Sequence, residues 1–219
     1  MPYVYAPGCA LTDEKPELAA RILQYLQQAL GDVPLYDTCC RVDCDLPNGT
    51  TVINTCPGCN RRFQAKREGI TTVSLWEVLA ARDDFSFPDY GGLTLAIHDA
   101  CPTRNEPKVH KAIRTLLARM NVRAVEPECT RERQNCCGDS AYPEKPLPEI
   151  YAQMKQRAAE MPAQEVLVYC ISCAKAMHIG GKTPRYLPDL LFALPTAPDV
   201  TREGSFYQEL EALRTAQRE

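Results

Sequence analysis

The run Glu165-Val166-Leu167-Val168-Tyr169-Cys170-Ile171-Ser172-Cys173 decides the fold, because the chain contains its pattern twice. An apolar, β-branched stretch ends here in Cys-x-x-Cys, as does Thr50-Thr51-Val52-Ile53-Asn54-Thr55-Cys56-Pro57-Gly58-Cys59. Upstream of each stands a vicinal pair, Cys39-Cys40 and Cys136-Cys137. Further upstream, a short strand pattern closes on a single cysteine: Tyr3 to Cys9, and Leu93 to Cys101. A helical stripe follows each of these cysteines. In the first half it is Leu18, Ile22, Tyr25, Leu26 and Ala29, with Asp13 as cap and Gly31 as stop; in the second it is Val109, Ile113, Leu116, Leu117 and Met120. Val33–Asp37 and Val122–Val125 read as the next strands, and the closing segments Ser74–Leu79 and Tyr186–Leu191 also match. Strands alternating with helices predict an α/β protein of two pseudo-symmetric repeats. Each is a small, largely parallel sheet with flanking helices, with the cysteines at strand ends.

The halves meet in a turn-rich stretch near residues 83–92, which predicts a first, shortened repeat over 1–85, a second over 86–195 and a C-terminal tail or helix over 196–219. The tail carries Phe206, Leu210 and Leu213 as a stripe. The copies differ in one place. Only 15 residues separate Cys40 from Cys56, against 32 between Cys137 and Cys170. The extra length holds a helix pattern from Leu147 to Met161, so the first half is expected to lack one helix.

Twelve cysteines in 219 residues, without a signal-peptide pattern, predict a cytoplasmic protein whose thiols bind metal and do not staple the chain. A net charge of −3 gives no footprint for nucleic acid, and no apolar run is long enough for a membrane span. Two thiols at i and i+3 where a strand meets a helix can turn toward one centre, with the helix start favouring thiolates. The repeated order assigns ten ligands: Cys9, Cys39, Cys40, Cys56 and Cys59, then Cys101, Cys136, Cys137, Cys170 and Cys173. Five per site exceeds the four of tetrahedral zinc and suits an iron–sulfur cluster better; zinc and structural disulfides are the alternatives.

These motifs resemble the cysteine-rich "CCG" domain family, exemplified by the catalytic chain of heterodisulfide reductase. The second half carries Cys136-Cys137-Gly138 in the family's order; the first departs from it, with a shorter loop and Arg41 in place of the glycine. The resemblance implies two [4Fe-4S] clusters, each held by five cysteines. The one in the second repeat is expected to be noncubane, and the first repeat to hold the same, a different cluster, or zinc. It implies an oxidoreductase subunit that reduces a disulfide or related thiol-type substrate with electrons from a ferredoxin-like or flavoprotein partner. An electron-transfer subunit of a larger complex and a zinc-held structural module are the rival readings.

Further residues stand near this pattern. Cys44 and Cys129 have no counterpart in the repeat and are candidates for an extra ligand or redox thiol. Arg41 and His98, beside the proposed ligands, are candidates for tuning a centre through charge or hydrogen bonding. Arg61, Arg62, Lys66 and Arg67 crowd the helix after Cys59, a patch suited to an anionic substrate or an acidic partner.

Overall fold

The structure is a computed structural model that describes residues 2–41, 46–66, 69–142 and 144–198. The predicted tail stripe at Phe206, Leu210 and Leu213 lies outside the described residues, as do Cys44 and Arg67.

The first half begins with strand β1 (Tyr3–Ala6), helices α1 (Cys9–Glu14) and α2 (Pro16–Leu30), and strand β2 (Thr51–Asn54). Helix α3 (Pro57–Lys66), strand β3 (Thr71–Ser74) and helix α4 (Leu75–Ala80) complete it. The second half runs β4 (Thr94–Ile97), α5 (Pro107–Arg119), β5 (Arg123–Val125), α6 (Leu147–Ala159), β6 (Glu165–Val168), α7 (Ile171–Ile179), β7 (Thr183–Tyr186) and α8 (Leu187–Leu191). The strands form two sheets, β1-β2-β3 and β5-β4-β6-β7, with every pairing parallel. This is the mixed α/β architecture of two repeat-like units that the duplicated pattern predicts.

The two sheets share one plan. In the first half the counterpart of β5 shrinks to a single parallel bridge between Tyr5 and Leu35. The expected strand Val33–Asp37 is therefore not formed as such. Pro34 gives its carbonyl to Tyr5 N (2.9 Å) but has no N–H with which to extend the ladder. A second correction concerns Asp13. It lies inside α1, and the residue that caps α2 is Lys15, followed by Pro16 at the first helical position.

Central strands β2, β4 and β6 are buried on both faces after their first residue, as expected where helices cover a parallel sheet. Helix α2 buries Leu18, Ala19, Ile22 and Leu26; α5 buries Val109, Ala112, Ile113, Leu116 and Leu117. Ser74 and Glu77 form a reciprocal capping box that turns β3 directly into α4. Helices α4 and α5 pack together, and Trp76 meets Tyr169 edge-on at 6.4 Å, so one apolar core runs through both halves. A second cluster, of only Val4, Ala6, Cys40, Val52, Cys59 and Phe63, lies on the other face of the first sheet. The helix expected after Cys137 is present as α6, which buries Ile150, Met154 and Ala158. No described element occupies the corresponding place between Cys40 and β2.

Candidate metal centres

Parallel strands deliver their carboxyl ends to one edge, where ligands of open α/β sheets are bound. The cysteines sit at that edge. Cys9 opens α1 after β1, and Cys101 opens a single 3-10 turn after β4. Cys56 and Cys170 immediately precede α3 and α7, whose first turns hold Cys59 and Cys173. None of the eleven described cysteines is in a disulfide.

In each half the five sulfurs form one chain of contacts in the same order. In the first half Cys9 Sγ lies 3.7 Å from Cys39 Sγ; Cys40 meets Cys39 and Cys59, and Cys59 meets Cys56. In the second, Cys136 meets Cys101 and Cys137, Cys137 Sγ lies 3.5 Å from Cys173 Sγ, and Cys173 meets Cys170. Metal–sulfur bonds of about 2.3 Å in tetrahedral geometry place sulfurs about 3.8 Å apart. These spacings are those of thiols brought to a common centre, and the all-sulfur donor sets fit iron–sulfur clusters or zinc.

Packing explains the departures between the halves. Gly138 takes φ +108, and a Cβ there would stand 3.1 Å from Met154 Cγ and 3.4 Å from Ile150 O, both on α6. The positive φ and the approach of α6 both call for a glycine here. With no described helix in the corresponding place, Arg41 stands exposed after Cys40. Gly8 answers a different demand: a Cβ there would fall 2.7 Å from Cys56 Cβ. Its absence lets the β1 end approach the Cys-x-x-Cys turn.

A buried polar network holds the second centre. Arg114 clamps the Asp99 carboxylate through two hydrogen bonds of 2.8 and 2.7 Å and also binds Glu126. Asp99 further accepts from Tyr169 OH (3.1 Å), Thr130 Oγ1 (3.0 Å) and Arg131 N (2.9 Å). Ala100 N donates to Tyr169 OH, and Gln134 Nε2 to Ala100 O, which ties the residues before Cys101 to those before Cys136. Burial opposes the Asp99 charge, but Arg114 and these donors hold its carboxyl well below the usual range. The first half uses a smaller device: Asn54 Nδ2 donates to Asn60 Oδ1 (2.9 Å), Thr72 Oγ1 (2.6 Å) and Val73 O (3.0 Å), fixing α3 to its sheet.

The sulfurs are unequal. Hydrogen bonds from Cys101 and then Cys137 pull the Cys136 thiol far down, helped by Ser140 Oγ at 3.0 Å and Gly138 N at 3.4 Å. Its hydrogen-bonded neighbours Cys101 and Cys137 are pushed up by the same contact. In the first centre Cys40 and Cys59 are raised, Cys40 chiefly by Cys39 and Cys59 by Cys40. Arg62 Nη1 lies 3.8 Å from Cys40 Sγ, so one member of the basic patch reaches a sulfur; Arg61 is exposed.

The two centres approach each other at a cavity of about 10 Å³ lined by Cys56, Cys170, Tyr169 and Tyr186, room for no more than one water. An open groove of about 650 Å³ reaches the second centre at Cys136, between Asn135, Lys145, Gln153, Gln156 and Glu160. Cys129 is half-buried and meets the surroundings of this centre through its carbonyl, which accepts from Arg157 Nη2. His98 is fully buried beside Cys137 and Cys173. Sequence reading overlooked Ser140, Gly8 and the Asp99–Arg114 clamp. It also overlooked Arg157, although a charged residue on the apolar stripe of Ile150, Met154 and Ala158 was a visible signal.

No helix among the described residues is long and apolar enough to cross a membrane. No curated protein matches the chain. Residues 95–178 match the family model of the CCG cysteine-rich domain, a span that contains all five cysteines of the second centre and the Cys136-Cys137-Gly138 motif. Residues 95–178 are thus similar to the CCG cysteine-rich domain family.

Proposed function

We propose that the chain is a redox subunit that carries two metal–sulfur centres and reduces a disulfide at the second. The observation that carries this reading is the five-sulfur chain, repeated in one order in both halves, with one thiol more than a tetrahedral zinc uses. In this reading Cys101, Cys136, Cys137, Cys170 and Cys173 hold a noncubane [4Fe-4S] cluster, and Cys9, Cys39, Cys40, Cys56 and Cys59 hold a second cluster or zinc. A bound cluster supplies one-electron steps and an iron site for sulfur. Substrate enters by the groove at Cys136, whose Lys145, Gln153 and Gln156 suit a small polar disulfide. Cleavage of one S–S bond takes two electrons and two protons and yields two thiols; the electrons come from a reduced ferredoxin-like or flavoprotein partner. The tight contact of the halves at Cys56 and Cys170 suits passage of electrons between centres, and its volume leaves no room for substrate there.

That same narrow contact favours a second reading, pure electron relay. Anaerobic iron and sulfide analysis, a paramagnetic-resonance spectrum and a disulfide-reduction assay with a reduced viologen dye separate the two. About eight irons and eight sulfides per chain, with disulfide turnover that Cys136→Ser abolishes, is the expected result. Full loading without turnover supports relay, and zinc without iron overturns the redox reading.

A further inference from the structure

His98 is wholly buried just past β4, three residues before Cys101, and the five-cysteine scheme gives it no task. One of its ring nitrogens and the sulfurs of Cys137 and Cys173 lie within 4.8 Å of one another. Such a histidine can be a ligand or a hydrogen-bond donor, and Arg157 decides between them. Arg157 Nε donates to His98 Nδ1 at 3.2 Å. A ring nitrogen that accepts carries no proton, so the proton of the neutral imidazole sits on Nε2. That nitrogen is buried and has no hydrogen-bond partner among the described residues. A protonated nitrogen has no lone pair for a metal; it has an N–H to give.

We propose that His98 donates its Nε2 proton in a hydrogen bond to a sulfur of the second centre, acting as a positioning residue and not as a ligand. The inference rests on the metal–sulfur reading of that centre. Arg157 holds the ring in place and is itself fixed, at 2 % exposure, by Glu160 (2.5 Å) and the Cys129 carbonyl (2.9 Å). Because Nδ1 accepts from Arg157, it carries no proton and the ring is neutral. The first half has no equivalent. Ala6 stands three residues before Cys9, and Arg157 comes from α6, the helix without a described counterpart there. The histidine donor thus comes with α6, whereas the donor described at a first-half sulfur is Arg62 Nη1, 3.8 Å from Cys40 Sγ. A hydrogen bond to a cluster sulfur stabilises the reduced, more negative state, so the second centre is raised relative to the same centre without it.

The test is a redox titration of the anaerobically loaded full chain, with the centres distinguished by Cys136→Ser and Cys39→Ser. Asparagine places an acceptor near Nδ1 for Arg157 but no donor at the Nε2 position; glutamine places its amide near Nε2. The expected result is a lower midpoint for the second centre in His98→Asn, largely restored in His98→Gln, with the first centre unmoved. An unchanged midpoint in a loaded His98→Asn overturns the inference. Strong nitrogen hyperfine coupling from ¹⁵N-histidine to the second centre also overturns it, since that identifies a ligand. If the chain carries only zinc, the redox reading above fails while this one is read from affinity. His98→Asn then loses zinc about 10–100-fold and His98→Gln does not; equal affinity in all three overturns it.

Discussion

Gly138→Ala should separate the demands of backbone and packing at the second centre. Three contributions set its magnitude. The native φ of +108 strains any residue with a Cβ by about 1–3 kcal/mol. The new methyl would stand 3.1 Å from Met154 Cγ, so the methionine must leave its rotamer at about 0.5–1.5 kcal/mol. The stiffer unfolded chain returns about 0.4–1 kcal/mol. The net loss spans about 0.5–4 kcal/mol and centres on ~2 kcal/mol, read as the shift of the urea midpoint of the metal-free protein at unchanged slope. Repeating the change in a Met154→Ala background removes the contact and should lower the penalty by about 1 kcal/mol, leaving the backbone share. Gly138 N also donates to Cys136 Sγ, so metal content of the second centre should fall while that of the first holds. A Gly138→Ala protein within about 0.5 kcal/mol of the parent would refute the argument that α6 enforces the glycine.

Arg114→Ala leaves the fully buried Asp99 with three hydrogen bonds and no cation, and should cost about 3 kcal/mol at pH 7, the low end for a broken buried pair. Because the native Asp99 carboxyl lies below its unfolded value, the clamp's contribution is complete above about pH 4 and fades as pH falls below it; denaturation curves at pH 7 and pH 3 check both statements, and an equal penalty at both refutes them. Cys136→Ser and Cys39→Ser should each remove about half the bound metal, since each breaks one sulfur chain; parallel metal analysis of the two variants reads this directly. Metal uptake should release protons and tighten from pH 6 to pH 8, because Cys40, Cys59, Cys101, Cys137 and Cys173 hold their protons in the metal-free state; cobalt titration in a weak buffer checks the sign. Ser74→Ala removes one side of the α4 capping box and should cost about 1 kcal/mol in thermal or chemical unfolding.

The cysteine order made the duplication legible, because a centre needs the same thiols in the same sequence of strand ends whatever fills the space between them. The helix without a described counterpart in the first half was legible as length alone, and α6 appears where the second half has the extra residues. Other features depend on neighbours that sequence spacing does not name. Val33–Asp37 carries strand-like residues, but Pro34 stops its ladder after one bridge. Asp13 looks like a cap until the short α1, which has no stripe of its own, takes it up. Arg41 read as a departure from the motif; at Gly138 the requirement comes from a positive φ and from a helix with no described counterpart in the first half. The Asp99 clamp draws on α5, the loop before Gln134 and the end of β6, so no local window contains it.

The two centres are embedded in unequal amounts of protein, and this bears on how each would release its contents. Cys137 and Cys173 belong to the large core that spans both sheets, whereas Cys40 and Cys59 belong to the six-residue cluster outside the first sheet. A small satellite cluster can open without the rest of the molecule, while a residue in the main core is freed only by near-global unfolding. On the proposed two-centre reading, Cys40 and Cys59 make the first centre the one expected to be kinetically labile. A chelator or an oxidant should strip it in a first-order phase that barely responds to denaturant, and the second should follow at a rate that tracks unfolding. Partly depleted protein will then be a defined species with one centre empty, rather than a random mixture of damage.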